Sequence, residues 1–284
     1  LKLHIQKLDV TTAQLTTSEY PNLHIAPALP HSKRFSGAAK QYDDHARVQR
    51  QSSQFLWSWL SQLLPNEFEP KACLDIGCGT GYMTQLLLEH YPYATVHAID
   101  IAPGMLEHIQ STWGRGFTDR LHTHLMDGEQ LALEHLWVPN NSLTVSNMCA
   151  QWFKNLDQTL RGWLSVSNTV VFSVLLEGSF AAWKQAHLDA GEICGLRSLP
   201  CFDEIQTLLK HFETEGLCIE THSFQKEYLE QHSGGLSFAR SLRAIGADTP
   251  EQHHKPVKLR KVITHLGDVC TLNHRIGYFF LRRG

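Results

Sequence analysis

The chain has 284 residues, with 25 lysines and arginines against 28 aspartates and glutamates and a formal charge of -3. That length allows one large α/β domain or two small ones with a substantial core. The near balance of charge excludes a global field for nucleic acid or an anionic membrane, so any charged partner must be read locally.

Cys73, Cys78, Cys149, Cys194, Cys201, Cys218 and Cys270 form no C-x-x-C pair, which fits reduced thiols better than disulfides or zinc, and no metal site is expected. No charged-then-apolar leader opens these residues, and the longest apolar run, Thr169 to Leu176, is too short to span a bilayer. A soluble, cytoplasmic protein without a membrane partner is the expectation.

Residues 1–30 hold Thr-rich and Pro-containing stretches without a sustained period and read as a tail or a surface strap; residues 31–284 read as the main domain. From Arg34 the pattern turns helical, with Val48, Phe55, Leu56, Trp59, Leu60, Leu63 and Leu64 on one face and Pro65 as the stop. Segment 31–65 is expected to act as a helical lid, with Tyr42, His45 and Arg50 folding over a cleft.

Lys71 to Pro103 is the organising stretch. An apolar run from Ala72 to Ile76 meets a turn containing Gly77, Gly79 and Gly81, then a helical pattern, then a second apolar run ending at Asp100. This reads as strand, tight loop, helix, strand. Glycines at alternate positions let the backbone turn sharply and approach a ligand. Asp100 follows by about 20 residues, the spacing that sets a carboxylate against ribose hydroxyls. The dinucleotide fingerprint would need glycine where Tyr82 stands, so a pyrophosphate cradle fits poorly.

Pro103 opens the next helix, with Met105, Leu106 and Ile109 inward, but Ala102 offers no side-chain cap, which should weaken that start by about 1 kcal/mol. Leu121 to Met126 is a strand that puts His122 and His124 on one face, expected to be solvent-facing, and it ends at Asp127 and Gly128. Leu143 to Met148 is a fourth strand, and Asn147, Gln151 and Trp152 beyond it fall at the carboxyl edge, where ligands bind in parallel sheets. A helix near Asn155 to Ser165 and a strand from Thr169 to Leu176 continue the alternation of a mostly parallel, doubly wound sheet.

Residues 177–216 carry helical runs at Phe180 to Ala190 and Asp203 to Phe212, expected as an insertion over the carboxyl edge. Leu217 to Leu229 and Gly277 to Arg282 read as the last strands. Between them lies a helix with Leu236, Ala239, Leu242 and Ile245 inward, then a basic run with Lys255, Lys258, Arg260 and Lys261. Such a run is commonly a solvated face; its other reading is a docking site.

The hydrophobic run, Asp75 and the three glycines resemble motif I of class I S-adenosylmethionine-dependent methyltransferases. The resemblance implies an α/β, Rossmann-like fold: a seven-stranded, mostly parallel sheet with helices on both faces, a helical insertion after strand five, and a last strand antiparallel beside strand six. It implies S-adenosylmethionine as cofactor, held by Asp75, Gly77, Gly79, Gly81, Asp100, Ile101, Asp127, Gly128 and Asn147, with Asp100 on the ribose and Asp127 on the adenine amino group. Asp127 also reads as a helix N-cap. The segments RFSGAAKQYDDHARVQRQ, SNMCAQW, LEGSFAAWKQAH and RSLRAIGA further resemble the malonyl-acyl carrier protein O-methyltransferases of biotin synthesis. Departures from that pattern are Asn273 in place of an aromatic residue and LSVSNT in place of a Pro-Gly-Gly turn.

What this implies is esterification of the free carboxylate of a malonyl thioester, carried on acyl carrier protein or coenzyme A. No residue acts as acid or base; Tyr42, Gln151 and Trp152 position the reactants, and Arg240 or Arg243 binds the carboxylate through its planar fork. Lys255, Lys258, Arg260 and Lys261 would dock the acidic carrier. Two alternatives stay open: methylation of another carboxylate, hydroxyl or amine, with His45 as base, and a non-catalytic cofactor-binding relative.

Overall fold

The computed structural model describes residues 30–113, 116–117, 119–130, 141–247 and 258–284. Except for Pro30, the expected tail or strap lies outside the described residues, as does Lys255.

Seven strands form one sheet in the order β3-β2-β1-β4-β5-β7-β6. β1 (Ala72–Ile76), β2 (Thr95–Asp100), β3 (Leu121–Leu125), β4 (Ser142–Asn147) and β5 (Thr169–Leu175) run parallel. β1 and β5 are buried along their whole length, which is why they read as continuous apolar runs rather than alternating ones. β7 (Cys270–Arg282) enters antiparallel between β5 and β6 (Glu220–His232).

Both of these last strands are longer than the sequence indicates. β5 pairs only as far as Leu175 with Ile276, so Cys270 to Arg275 pair with Glu227 to His232 alone and project past the sheet as a ribbon. At ~3.3 Å per residue six residues reach about 20 Å. The polar text of β6 hides this extension from a periodicity reading. Asn273 sits in the ribbon and explains its own departure from the family pattern: its Oδ1 accepts from the Ala181 N–H at 2.9 Å, capping a helix whose own N-cap, Phe180, supplies no side-chain bond.

One face of the sheet is covered by α3 (Arg47–Leu63) and α4 (Tyr82–His90), with Val48, Leu56, Leu60, Met83 and Leu87 buried over Cys73, Val96 and Val145. The opposite face carries α6 (Leu156–Val166) and α8 (Phe202–Thr214). Leu160, Trp163, Ile205, Leu209 and Phe212 pack there with Leu74, Phe172 and Phe279. α8 is therefore a layer helix, and only α7 (Ala181–Asp189) and the segment 190–201 stand over the edge. The ribbon is clothed by α7 and by α9 (Gly235–Ala244), and α10 (Leu259–Leu266) packs on both of these helices. Of the residues expected inward here, Ala239 and Leu242 pack against the core and Ile245 is buried, whereas Leu236 is 42% exposed and the fully buried Phe238 takes its place.

α5 (Pro103–Thr112) packs Leu106 and Ile109 onto Ala98. Its missing cap is replaced from α1 (Pro30–Ala38): Ser36 Oγ accepts from the Gly104 N–H at 3.3 Å, and Ser32 Oγ donates to the Ile101 carbonyl at 2.8 Å. Of the two β3 histidines, His122 is exposed, whereas His124 is half-buried and hydrogen-bonded to His97 at 3.0 Å. Among the described residues no helix is long and apolar enough to cross a membrane.

Candidate active site

The carboxyl ends of β1 and β4 meet at an open crevice lined by Tyr42, Asp43, Gln49, Arg50, Asp75, Gly77, Gly79, Thr80 and Asn147 among others, with Asp100 at the end of β2 bonded to the Gly79 N–H. β1 ends in the glycine turn. Gly77 has φ +68 and its N–H donates to the Ile99 carbonyl; a Cβ there would lie 2.3 Å from Cys149 Sγ. Gly79 has φ +54, and nothing lies within 4 Å of where its Cβ would stand. The first glycine is thus needed for packing beneath the crevice and the second leaves its floor open.

Two carboxylates hold this floor. Asp100 Oδ2 accepts from the Gly79 N–H at 2.9 Å and Oδ1 from the Ala102 N–H at 2.8 Å. Burial pushes its pKa up, opposed by those backbone donors. Asp75 Oδ2 accepts from the Thr84 hydroxyl at 2.5 Å, and burial pushes this carboxyl up to about 7.

The roof comes from α2 (Tyr42–His45) and the start of α3. Asp43 Oδ1 accepts from the Thr80 hydroxyl at 2.7 Å, Arg50 donates to the Asp43 carbonyl at 3.3 Å, and the Arg50 guanidinium lies 5.6 Å from the Tyr82 ring centre. Burial, then Asp100 and Asp43, push the Tyr42 phenol up, so it stays a hydrogen-bond donor. His45, by contrast, is exposed on α2 and does not line the crevice.

Asn147 lines the crevice but its amide is engaged behind it. Oδ1 accepts from Ser52 and Ser173 hydroxyls, both at 2.7 Å, and Nδ2 donates to the Gln49 carbonyl at 3.1 Å. Tyr278 donates to Ser52 Oγ, and the Tyr228 and Tyr278 hydroxyls share a bond at 2.8 Å.

Asp127 caps the 3-10 turn at Gly128–Gln130 through the Glu129 N–H at 3.0 Å. Gly128 is required there, since a Cβ would stand 2.3 Å from Ile76 Cγ2, and its carbonyl accepts from Trp163 Nε1. The side chain of Ile101 is half-buried beside this corner. A second 3-10 turn, Ala150–Trp152, follows β4. Gln151 is tied down by its bonds to the Met148 carbonyl and the Leu175 N–H. Trp152 meets His31 in a stack and Phe35 edge-on, each at 5.4 Å, and has the Arg197 guanidinium 5.0 Å from its ring centre.

Arg240 and Arg243 both stand on the exposed side of α9. Lys258, Arg260 and Lys261 are exposed at the start of α10. Sequence reasoning missed Asp43, Thr80, Thr84, Cys149 and Arg197. Thr80 and Thr84, lying next to the third glycine on an emerging helix, were the most accessible of these from the text alone.

The groups present suit an adenosyl sulfonium: an accepting carboxylate bonded to the glycine floor for a ribose diol, a second buried acid for an ammonium group, and Arg50 at the rim as donor to a carboxylate. This fold and this site define an S-adenosylmethionine-dependent methyltransferase of the Rossmann-like class. A methyltransferase domain family model matches residues 73–168. The malonyl-[acyl-carrier protein] O-methyltransferase of Priestia megaterium is 30% identical over 259 residues, 86% of this chain and 89% of that protein. The enzyme of the same name from Acetivibrio thermocellus is 33% identical over 240 residues, 78% and 79% of the two chains. The chain belongs to the malonyl-[acyl-carrier protein] O-methyltransferase family. Among solved structures, the YcgJ protein of Bacillus subtilis superposes with a TM-score of 0.53 at 12% identity, covering 81% of this chain and 99% of that one, a likeness of fold alone.

Proposed function

We propose that this chain esterifies the free carboxylate of a malonyl thioester borne by acyl carrier protein, an early step of biotin synthesis. The observation that carries the reading is kinship with relatives of that name over 86% of the chain. The site chemistry supports it. S-adenosylmethionine supplies, when bound, a methyl group on a positively charged sulfur. A malonyl carboxylate is already ionised near neutral pH, with a pKa near the ~4 of side-chain carboxyls, so no group must take a proton. A carboxylate oxygen forms a bond to the methyl carbon as the carbon–sulfur bond breaks, and the negative charge and the sulfonium charge cancel.

The residues then have to orient and to exclude water, bringing the atoms in line at ~3 to 3.5 Å. Asp100 and Asp75 fix the cofactor end, Asp127 its adenine end, and Tyr42, Gln151 and Trp152 border the reacting groups. Arg240 and Arg243 supply positive charge from the exposed side of α9.

Incubation with methyl-labelled cofactor and malonyl-acyl carrier protein should give a methyl ester detectable by mass spectrometry. At saturating cofactor and acceptor, kcat should be flat from about pH 6 to 9. A rate that climbs with pH and collapses in His45→Ala would instead indicate base-assisted methylation of a hydroxyl or amine. Cofactor affinity should strengthen as pH rises through about 7, because Asp75 then gains the charge that attracts a cation.

Docking of the acidic carrier falls to Lys258, Arg260 and Lys261 in this reading, with Lys255 outside the described residues. Reversing Lys258 and Lys261 to Glu should raise KM for the carrier-borne substrate about tenfold, as expected for rim charges that steer association, and spare malonyl-coenzyme A. Equal loss on both substrates rejects this docking face.

A further inference from the structure

Segment 190–201 has no regular secondary structure, yet it is fixed. Its Pro200 carbonyl accepts from the Glu177 N–H at 2.9 Å at the end of β5, and Leu196 and Leu199 pack against the main core. Arg197 between them is half-buried, with its guanidinium over the Trp152 ring. Other half-buried arginines are paired through hydrogen bonds or an ion pair, although Arg282 Nε has no partner. Arg120 donates to the carbonyls of Leu88, Tyr91 and Ala94, and Arg282 pairs with Glu220. Among the described residues Arg197 makes no ion pair and no hydrogen bond; its one close partner is an aromatic face.

That arrangement has a chemical consequence. A guanidinium held over an aromatic ring spends no N–H group on a conventional acceptor there, so its N–H groups stay available to another partner. A planar carboxylate is the ligand that a guanidinium edge fits in two bonds. Trp152 belongs to the turn whose Cys149 thiol lies against Gly77, and the indole touches Phe35, which shares a cluster with Tyr42 and Ala102. Through Trp152 and Phe35 the guanidinium is thus connected to Tyr42, which lines the crevice, although Arg197, Trp152 and Phe35 do not themselves line it. The surrounding charges are mixed: Lys154 adds to the positive field that His31 feels, and Asp127 opposes it. Asp127 has one oxygen committed to the Glu129 N–H.

We propose that Arg197, seated on Trp152, is the residue that recognises the free carboxylate of the acceptor and so selects a half-acid thioester over its methyl ester. The inference rests on the acceptor class proposed above and replaces α9 as the seat of carboxylate recognition.

The test uses malonyl-coenzyme A with the wild-type chain, Arg197→Gln and Arg197→Lys. Arg197→Gln should raise KM for malonyl-coenzyme A at least thirtyfold, while calorimetry with S-adenosylhomocysteine returns an unchanged Kd. Arg197→Lys should recover part of the loss, since an ammonium keeps the charge and loses the fork. Inhibition by the product, the methyl ester thioester, separates recognition from mere loop integrity. In the wild type it should bind at least tenfold more weakly than the half-acid, and in Arg197→Gln the two should bind alike. A wild-type KM in Arg197→Gln, or a larger loss in Arg240→Ala, overturns the assignment. Absence of methyl ester with the wild type on both malonyl-coenzyme A and malonyl-acyl carrier protein overturns the acceptor class, and this inference with it. Should Arg197→Gln fail to fold by circular dichroism, Arg197→Lys decides, with an unaltered KM and an unaltered half-acid preference counting against.

Discussion

Asp100→Ala should weaken S-adenosylmethionine binding at least about 100-fold, equivalent to ~2.7 kcal/mol, read by calorimetry. The carboxylate does two things at once. It accepts the Gly79 and Ala102 N–H groups, and it is the acid at the end of β2 that fixes the glycine forming the crevice floor. Removing it leaves two part-buried donors without partners, each worth about 1–3 kcal/mol, so the glycine turn loses its shape as well as its charge. Asp100→Asn separates the two contributions. Its amide oxygen can keep one of the backbone bonds while its NH2 opposes the other, so the cofactor should be held between the wild type and Asp100→Ala. An unchanged Kd in Asp100→Ala would remove this residue from the cofactor site.

The second large effect is expected at Gly77→Ala. A methyl there meets Cys149 Sγ at 2.3 Å and Cys149 Cβ at 2.6 Å, and the backbone must hold φ +68 with a side chain. Left-handed backbone in a non-glycine residue costs of order 1–3 kcal/mol and overpacking a similar amount, so stability read by thermal unfolding should fall by about 2–6 kcal/mol and cofactor binding should fail. Cys149→Gly in the same chain should return the overpacking part and leave the backbone part. If the double variant is no more stable than Gly77→Ala, the contact with Cys149 is not the cause.

The strand–turn–strand unit was readable because it is local. Ala72 to Ile76 is apolar throughout, the glycines announce the turn, and Asp100 stands at the expected distance. The family was readable from longer segments such as RSLRAIGA. Interactions between distant segments were not readable. Ser36 replaces the cap that Ala102 lacks, across 68 residues, and Asn273 caps α7 across 92. Spacing on α9 favoured Leu236, and the extended ribbon beneath it turned Phe238 inward instead. Arg197 sits in a segment without period, so nothing in the text marks it; only the fold brings it to Trp152. Asp127 was read two ways from the sequence, and the capping reading is visible in its bond to Glu129.

The chain of hydroxyls behind Asn147 divides the first 35 residues of the domain into two mechanical parts. Lifting α3 would part Ser52 from Asn147 and Tyr278, a cost of the order of 1–3 kcal/mol for each group left unpaired, while Ser173 keeps Asn147 and Tyr278 keeps Tyr228. α1 and α2 are attached by the bonds of Ser32, Ser36 and Asp43 and by the packing of Phe35, Ala39 and Tyr42 with Ala102 and Met105. Ala46, outside helical geometry at φ -87 and ψ 43, joins the two parts. Ala46 is thus the break in helical geometry between α2 and α3, the point about which residues 30–45 would turn relative to α3.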